Sequence, residues 1–127
     1  MGIDLAAFPL PELIRFKSFD GVEMPAFVYL PPGHKKGTPI PFVVNYHGGP
    51  ESQATPRFSS FAQLFVDAGF ILAEPNVRGS EGYGLSKTKM VDHDWGGEDR
   101  LDHIAAFDFL RGDMALMVDT LRIANDI

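Results

Sequence analysis

Two short apolar segments separated by a helical segment place the strongest constraint on how this chain folds. Residues 41–46 (PFVVNY) and 70–75 (FILAEP) are continuous apolar runs, the pattern of strands covered on both faces. Between them, residues 58–68 repeat apolar side chains at helical spacing, and Gly69 follows as a stop signal. A strand, a helix and a second strand in this order predict a right-handed parallel crossover. The sequence therefore predicts an α/β fold.

An antiparallel hairpin is predicted before this unit. Residues 13–19 alternate apolar and polar side chains, Asp20-Gly21 is a two-residue turn signal, and residues 24–30 form a second apolar run. Residues 1–12 are predicted to be a lead-in arm, and residues 13–127 a partial α/β domain.

A second helix is predicted after the parallel strands, which gives a hairpin followed by βαβα. Residues 76–89 form a glycine-rich loop, and the helix is expected from Gly97 to about Leu110. Residues 113–127 are ambiguous, and in one interpretation residues 119–123 start a further strand. The apolar face of the helix is predicted to comprise Leu101, Ile104, Ala105 and Phe109.

Charge and composition disfavour several classes of partner. The net charge of -6 over 127 residues, with scattered Lys and Arg, argues against nucleic acid and anionic membranes. The absence of cysteine rules out disulfides and thiolate metal sites. No apolar run approaches the roughly 18 residues that span a bilayer, and the first residues lack the basic region of a signal peptide. We therefore expect a cytoplasmic protein.

A His-Gly-Gly loop directly follows the first buried strand, in the segment NYHGGP at residues 45–50. Glycines allow the backbone to turn sharply and to present N–H groups, and the carboxyl ends of parallel strands are where open α/β sheets bind ligands. A loop of this type after the third strand matches the position where α/β-hydrolases build half of the oxyanion hole. The alternative is a plain turn in which His47 is a packed imidazole.

The segment PNVRGSEGYG at residues 75–84 follows the second buried strand. Its glycine spacing fits neither the Walker loop nor the dinucleotide-binding fingerprint. Two interpretations stay open for Arg78, Ser80 and Tyr83. They line a cleft, or they are structural, with Arg78 paired to a carboxylate.

A cluster of acidic and histidine side chains lies near the start of the second helix. Asp99 and His103 share a helix face, but no His-x-x-x-His pair or closed ligand set accompanies them. Helix capping and favourable interaction with the helix dipole are the preferred explanation, and no metal site is predicted. The members of this cluster are Asp92, His93, Asp94, Asp99, Asp102 and His103.

These segments together resemble the prolyl oligopeptidase family of serine peptidases. NYHGGP, PNVRGSEGYG and DHDWGGEDRLDHIAAFDFL occur in the family's order and approximate spacing, and both the opening FKSFDGVEMPAFVYLPPG and the tail GDMALMVDTLRI are similar to it. The resemblance covers roughly residues 13–123. It implies an α/β-hydrolase with sheet order 1-2-4-3-5-6-7-8 that hydrolyses peptide or ester bonds without a cofactor.

The resemblance also suggests roles for individual residues. It implies that His47 and Gly48 form an oxyanion loop and therefore act in catalysis. We take Tyr46, Gly49, Arg78 and Tyr83 as candidate substrate contacts.

The resemblance stops before the catalytic triad. The family continues into a Gly-x-Ser-x-Gly nucleophile elbow followed by Asp and His, whereas residues 124–127 read ANDI. We therefore expect the N-terminal half of the catalytic domain, truncated and inactive or weakly active alone. Ser80 is the alternative nucleophile, with His93 or His103 and with Asp99. In its RGSEG segment, however, Arg78 stands where the elbow has its first glycine.

Two other functions stay open. One is a small stand-alone esterase or peptidase with a non-standard or inter-subunit site. The other is a non-enzymatic module whose free sheet edge captures a strand. In the truncated sheet the strand at residues 42–46 is expected to be an exposed edge, which favours pairing with another chain. We therefore predict a homodimer or higher homo-oligomer that exchanges this strand or residues 121–127.

Overall fold

The computed structural model describes residues 10–35, 40–49 and 51–112, and the backbone of residues 123–125. Within these residues, no helix combines the length and apolarity that a membrane span requires. A 3₁₀ turn at Lys89–Val91 follows the second of three helices. In chain order, the strands and α-helices are β1 Glu12–Lys17, β2 Glu23–Tyr29, β3 Phe42–Tyr46, α1 Ser60–Asp67, β4 Ile71–Pro75, α2 Leu85–Thr88, α3 Glu98–Gly112 and β5 Ile123–Asn125.

The strands form one mixed sheet of order β1-β2-β4-β3-β5. β1 and β2 pair antiparallel, with Phe16 opposite Met24, and β2 pairs antiparallel with β4. β3 and β4 pair parallel, with Val44 opposite Ala73. The predicted fold class, a hairpin followed by βαβα with parallel strands, is confirmed, and the strand order agrees with the start of the family order.

The prediction that β3 is an exposed edge is wrong. β5 pairs parallel with β3 and places Ile123 opposite Val44 and Asn125 opposite Tyr46. A buried strand presents N–H and C=O groups on both sides, and residues 123–125 pair with the side that faces away from β4. The sheet edges in the described part of the chain are β1 and β5. Homo-oligomerisation stays a prediction, but β3 is no longer the exposed strand through which the subunits would pair.

Two other predictions fall in part on residues outside those described, at the two ends of the chain. β1 begins at Glu12, whereas residues 1–9 of the predicted lead-in arm lie outside the described residues. The same is true of residues 121–122 and 126–127 in the segment predicted to exchange between subunits.

The two faces of the sheet carry different helices. Val43 and Leu72 face α1 and pack with Val66, while Val44 and Ile71 face the opposite side and pack with Leu110 of α3. This alternation follows from the two-residue period of a strand. Because β3 and β4 are covered on both faces, their sequences do not alternate and are apolar apart from Asn45 and Glu74, which hydrogen-bond to each other.

The inward face of α3 differs from the predicted one. Asp102, Ala106 and Leu110 are buried, whereas Ile104, predicted to face the core, is half exposed. Of the other predicted members, Ala105 and Phe109 do pack against the core, and Leu101 is partly buried. The prediction was therefore wrong for Ile104, and it missed Asp102 because it counted only apolar residues, whereas a carboxylate occupies the first position of the buried stripe. Asp102 tolerates this position because a cation lies beside it.

Candidate active-site loops

The two glycine-rich loops lie at the same edge of the sheet. β3 and β4 are adjacent and parallel, so the segments that follow Tyr46 and Pro75 leave the sheet side by side. This is the carboxyl edge, where open α/β sheets form their ligand sites.

The loop after β3 presents two consecutive backbone N–H groups. Gly48 and Gly49 are exposed, and neither N–H donates a hydrogen bond to a residue that the structure describes. Gly49 has φ of 68°, and a Cβ added there would meet no atom within 4 Å. Glycine at this position therefore serves backbone conformation rather than space. His47 is half-buried, and its Nδ1 lies 3.3 Å from the carbonyl oxygen of Gly48.

Ser80, the alternative nucleophile, contacts this loop directly. Its Oγ lies 2.9 Å from Nε2 of His47, and its side chain is fully buried. The imidazole beside Ser80 is therefore that of His47, not of His93 or His103 as in the hypothetical triad. Burial leaves the hydroxyl no open path to a substrate in this conformation.

Further hydrogen bonds join the loop after β3, through Ser52 and Ala54, to the loop after β4, through Asn76 and Glu81, and we call the joined loops the platform. Asn76 is fully buried and pairs with both backbone groups of Ala54: Oδ1 accepts from the N–H at 2.7 Å, and Nδ2 donates to the carbonyl at 2.8 Å. The N–H of Glu81 donates to the carbonyl of Ser52 at 2.7 Å. Because these bonds satisfy buried polar groups, separating the loops would leave several of them unpaired.

Arg78, a candidate substrate contact, lies in the interior rather than on a cleft wall. It is 1% exposed, and Asp102 accepts from its Nε at 2.7 Å and its Nη2 at 2.9 Å. Glu98 accepts from Nη1 at 2.6 Å, and Asp20 accepts from Nη2 at 2.9 Å. Three carboxylates therefore occupy the guanidinium, and the observed state is the alternative in which Arg78 pairs with carboxylates. The ring of Phe19 lies 4.9 Å from its Cζ.

The ion pairs shift the pKa values of two members of this cluster. Burial lowers the pKa of Arg78, but its hydrogen bonds and charge interactions with Asp102 and Asp20 outweigh burial and raise it above the usual value. Desolvation raises the pKa of Asp20, yet the bonds from Arg78 and from the Val22 N–H bring it below the usual range. Both groups are therefore held in their charged forms.

Tyr46, another candidate substrate contact, is a core residue. Its side chain is 7% exposed, its hydroxyl donates to the carbonyl of His103 at 2.9 Å, and its ring stacks on that imidazole with centroids 4.0 Å apart. Burial raises the pKa of Tyr46 well above that of a free tyrosine. Alternation along β3 turns this side chain toward α3 and away from solvent.

Tyr83 stands on the loop after β4, where it is partly buried. Its hydroxyl accepts from Nδ2 of Asn76 at 2.8 Å, and the Nζ of Lys87 lies 4.1 Å from its ring centroid. The same Nζ donates to the carbonyl of Asn76 at 2.7 Å. Burial lowers the pKa of Lys87 to about 8, with the charge of Asp102 acting against that shift. Tyr83 therefore contributes to the platform, and its partial exposure keeps it a candidate contact.

The acidic cluster divides between capping and core pairing. Asp94 accepts from the N–H of Glu98 at 2.9 Å and caps the start of α3, as predicted. Asp102 instead pairs with Arg78, and His103 stacks on Tyr46. Among the described residues, no group of three His, Asp or Glu side chains is placed to hold a metal ion.

Sequence reasoning missed the partners that fix Arg78. It did not single out Asp20, in the β1–β2 turn, or Glu98, and it assigned Asp102 to dipole interactions. A signal was available, because Asp102 stands four and eight residues before Ala106 and Leu110, on one helical stripe. A carboxylate on the buried stripe of a helix requires a cationic partner.

The chain forms a hairpin followed by a parallel β3–α1–β4 unit, with a His-Gly-Gly loop at the carboxyl edge of the sheet. This is the arrangement of the α/β-hydrolases. The prolyl oligopeptidase family model matches residues 56–124, which is more than half of the chain. The chain belongs to the prolyl oligopeptidase family.

Individual relatives agree with this assignment. A probable dipeptidyl-peptidase 5 of Emericella nidulans is 33% identical over 116 residues, which cover 88% of this chain and 16% of the relative. The structure of a puromycin-hydrolyzing peptidase of Mycobacterium tuberculosis matches with TM-score 0.85 and 27% identity, over 98% of this chain and 20% of that one. Pyrococcus horikoshii acylaminoacyl peptidase matches with TM-score 0.77 and 29% identity, over 92% and 19%. The chain thus spans between a sixth and a fifth of the length of these proteins.

Replacing Asp102 by Asn tests the buried ion pair. Of the three described carboxylates that accept from Arg78, Asp102 alone is fully buried, so D102N should lower the free energy of unfolding by about 3 kcal/mol or more. E98Q removes a carboxylate whose side chain is 54% exposed, and about 1 kcal/mol or less is expected. Urea unfolding measures both, and equal losses would contradict a central role for Asp102.

The pKa of His103 predicts a pH dependence of stability. Burial lowers this pKa below its usual 6.5, the charges of Asp99 and Asp102 oppose that shift, and His47 adds to it. The unfolded chain therefore binds the proton more tightly, and stability present above about pH 6.5 is lost as the pH falls toward the lower folded value. Between about pH 7.5 and about pH 5, wild type should lose more unfolding free energy than H103Q, measured by urea titration. Parallel losses in the two proteins would refute the assignment.

Proposed function

We propose that this chain supplies the oxyanion side of a serine-hydrolase active site that cleaves peptide or ester bonds. The observation that carries the proposal is that Gly48 and Gly49, two consecutive exposed residues at the carboxyl end of β3, have N–H groups that donate to no described residue. Acyl transfer places negative charge on the carbonyl oxygen in the transition state. Backbone donors fixed in advance stabilise that charge without reorganising during the reaction.

The hydrogen bonds within the platform support this role. Asn76 holds the segment after the glycines through Ala54, and Ser80 holds His47 just before them. The N–H groups are thus attached on both sides to a second loop, which is itself fixed to α3 by Arg78. Preorganisation of this kind is what distinguishes an oxyanion hole from an ordinary exposed turn.

The names of the relatives point to amide bonds as the substrate class. Each is a peptidase by name, and one related structure is an acylaminoacyl peptidase in complex with a peptidyl chloromethyl ketone. We propose that peptides are the substrate class of this chain as well. The reason is that the part of the relatives that this chain matches is the scaffold that would hold the acyl oxygen.

The same proposal predicts low activity for these 127 residues alone. No Gly-x-Ser-x-Gly segment occurs in the sequence. An oxyanion hole and binding groups without a triad retain roughly 10³- to 10⁴-fold catalysis over water in intact serine proteases, so weak ester hydrolysis would be compatible with the proposal.

A second candidate, a stand-alone esterase, is favoured by one observation. The 2.9 Å between Ser80 Oγ and His47 Nε2 is a nucleophile-to-base distance. Two features weaken it. The hydroxyl is fully buried, and His47 Nδ1 contacts the carbonyl of Gly48 rather than a carboxylate that would stabilise an imidazolium.

A fluorophosphonate probe separates these candidates. Because Ser80 is enclosed, we expect no stoichiometric labelling of any serine when the folded chain is treated and analysed by mass spectrometry. Complete labelling at Ser80 would establish the stand-alone enzyme and overturn the incomplete-site proposal.

Replacing Gly49 by Ala tests the oxyanion loop. A side chain disfavours φ of 68°, so the loop should relax and turn its N–H groups away from the acyl oxygen. We expect G49A to lower the hydrolysis of p-nitrophenyl acetate at least about tenfold, since one such donor contributes roughly 10²- to 10³-fold.

G33A is the matched control for this variant. Gly33 also has positive φ (77°) and open space around a Cβ, but it lies between β2 and β3. It incurs the same backbone strain away from the loops. Equal rates in the two variants would remove the oxyanion role.

A further inference from the structure

The orientation of the peptide between Gly48 and Gly49 depends on the His47 side chain. Nδ1 of His47 lies 3.3 Å from the carbonyl oxygen of Gly48, and because a carbonyl only accepts, this contact places the proton on Nδ1. In a trans peptide, the next N–H points opposite to the carbonyl. With the Gly48 carbonyl turned toward the imidazole, the Gly49 N–H therefore points away from it.

The hydroxyl of Ser80 leads independently to the same protonation state. It is fully buried, and within the described part of the chain its only hydrogen-bond partner is Nε2 of His47. A buried hydroxyl needs an acceptor for its proton, so Nε2 must offer a lone pair. A neutral imidazole protonated on Nδ1 satisfies both contacts at once.

Ser80 is itself firmly held. Its N–H donates to the carbonyl of Val77 at 3.1 Å, and its carbonyl accepts from Oγ1 of Thr88 at 3.3 Å. Arg78, two residues before it, is fixed by Asp102 through both its backbone N–H and its guanidinium. The backbone that carries the hydroxyl is thus held by contacts within its own loop and by the buried ion pair two residues before it.

We propose that Ser80 is a positioning residue that locks His47 in the neutral Nδ1–H tautomer, and that this lock directs the Gly49 N–H toward the acyl oxygen. The role of the Gly49 N–H toward an acyl oxygen rests on the proposed function, whereas the tautomer of His47 does not. The same hydrogen bond explains why a serine beside a histidine need not be a nucleophile here. The hydroxyl proton is used to orient the ring that fixes the loop.

Long-range ¹H–¹⁵N correlation spectra of the ¹⁵N-labelled chain test the lock directly. At a pH where the imidazoles are neutral, Nδ1 of His47 should carry the proton and Nε2 should show the signal of an unprotonated acceptor nitrogen. This measurement uses the unmodified protein and needs no variant to fold. A proton on Nε2 would overturn the inference.

S80A provides the second test, and S86A, which alters an exposed serine in α2, is its control. Loss of one hydrogen bond should lower the ratio of Nδ1–H to Nε2–H tautomer by about fivefold to tenfold and shift the Gly49 amide resonance, with no change in S86A. A folded S80A protein with the wild-type tautomer and amide shift would refute the role of Ser80. If S80A does not fold, the wild-type spectrum decides.

The tautomer and the oxyanion role can fail separately. The spectra require no substrate, whereas the comparison of G49A with G33A measures ester hydrolysis. A locked tautomer with equal rates in those variants would support the lock and remove its catalytic consequence. An Nε2–H tautomer with a selective loss in G49A would remove the lock and leave the oxyanion proposal standing.

Discussion

The buried ion pair between Arg78 and Asp102 is the interaction on which the rest of the structure depends. It joins the loop after β4 to the inward stripe of α3, and through Asp20 it also reaches the β1–β2 turn. A guanidinium and a carboxylate out of water are stable only while each satisfies the other. Ser18 donates an additional hydrogen bond to Asp102, so the hairpin, the loop and the helix meet at one carboxylate. Their relative positions are therefore fixed together.

From this pair, short contacts lead to the candidate site. Arg78 fixes the loop on which Ser80 stands, Ser80 contacts His47, and the His47 ring contacts the carbonyl of Gly48. This series of contacts ends at the backbone N–H groups of Gly48 and Gly49. Their contribution to the site is the direction in which they point. A site built this way relies on the accuracy of the scaffold behind it, because an N–H displaced by an ångström no longer reaches the developing charge.

The fold was predictable because its signals are local. The apolar runs of β3 and β4, the Asp20-Gly21 turn and the stop at Gly69 each act over a few residues, and the order of elements then restricts the topology. The site was predictable only as two loops. That Arg78 and Tyr46 point inward, and that Ser80 meets His47, depends on pairings between residues 24 to 84 positions apart in the sequence. The same reason explains why Ile104 was wrongly assigned to the core, why Asp102 was missed there, and why β3 was wrongly predicted to be an edge.

The sequence by itself determined the class of the fold, the family and the two glycine loops, because hydrophobic period, turn chemistry and ordered motifs are properties of the chain. Only the tertiary structure decided which polar side chains are buried and which remain available. A buried charge is tolerated only beside its counter-charge, and that partner is chosen by three-dimensional packing. Of the site residues predicted on the two loops, Arg78 and Tyr46 were thereby placed in the core, and Gly48 and Gly49 on the surface.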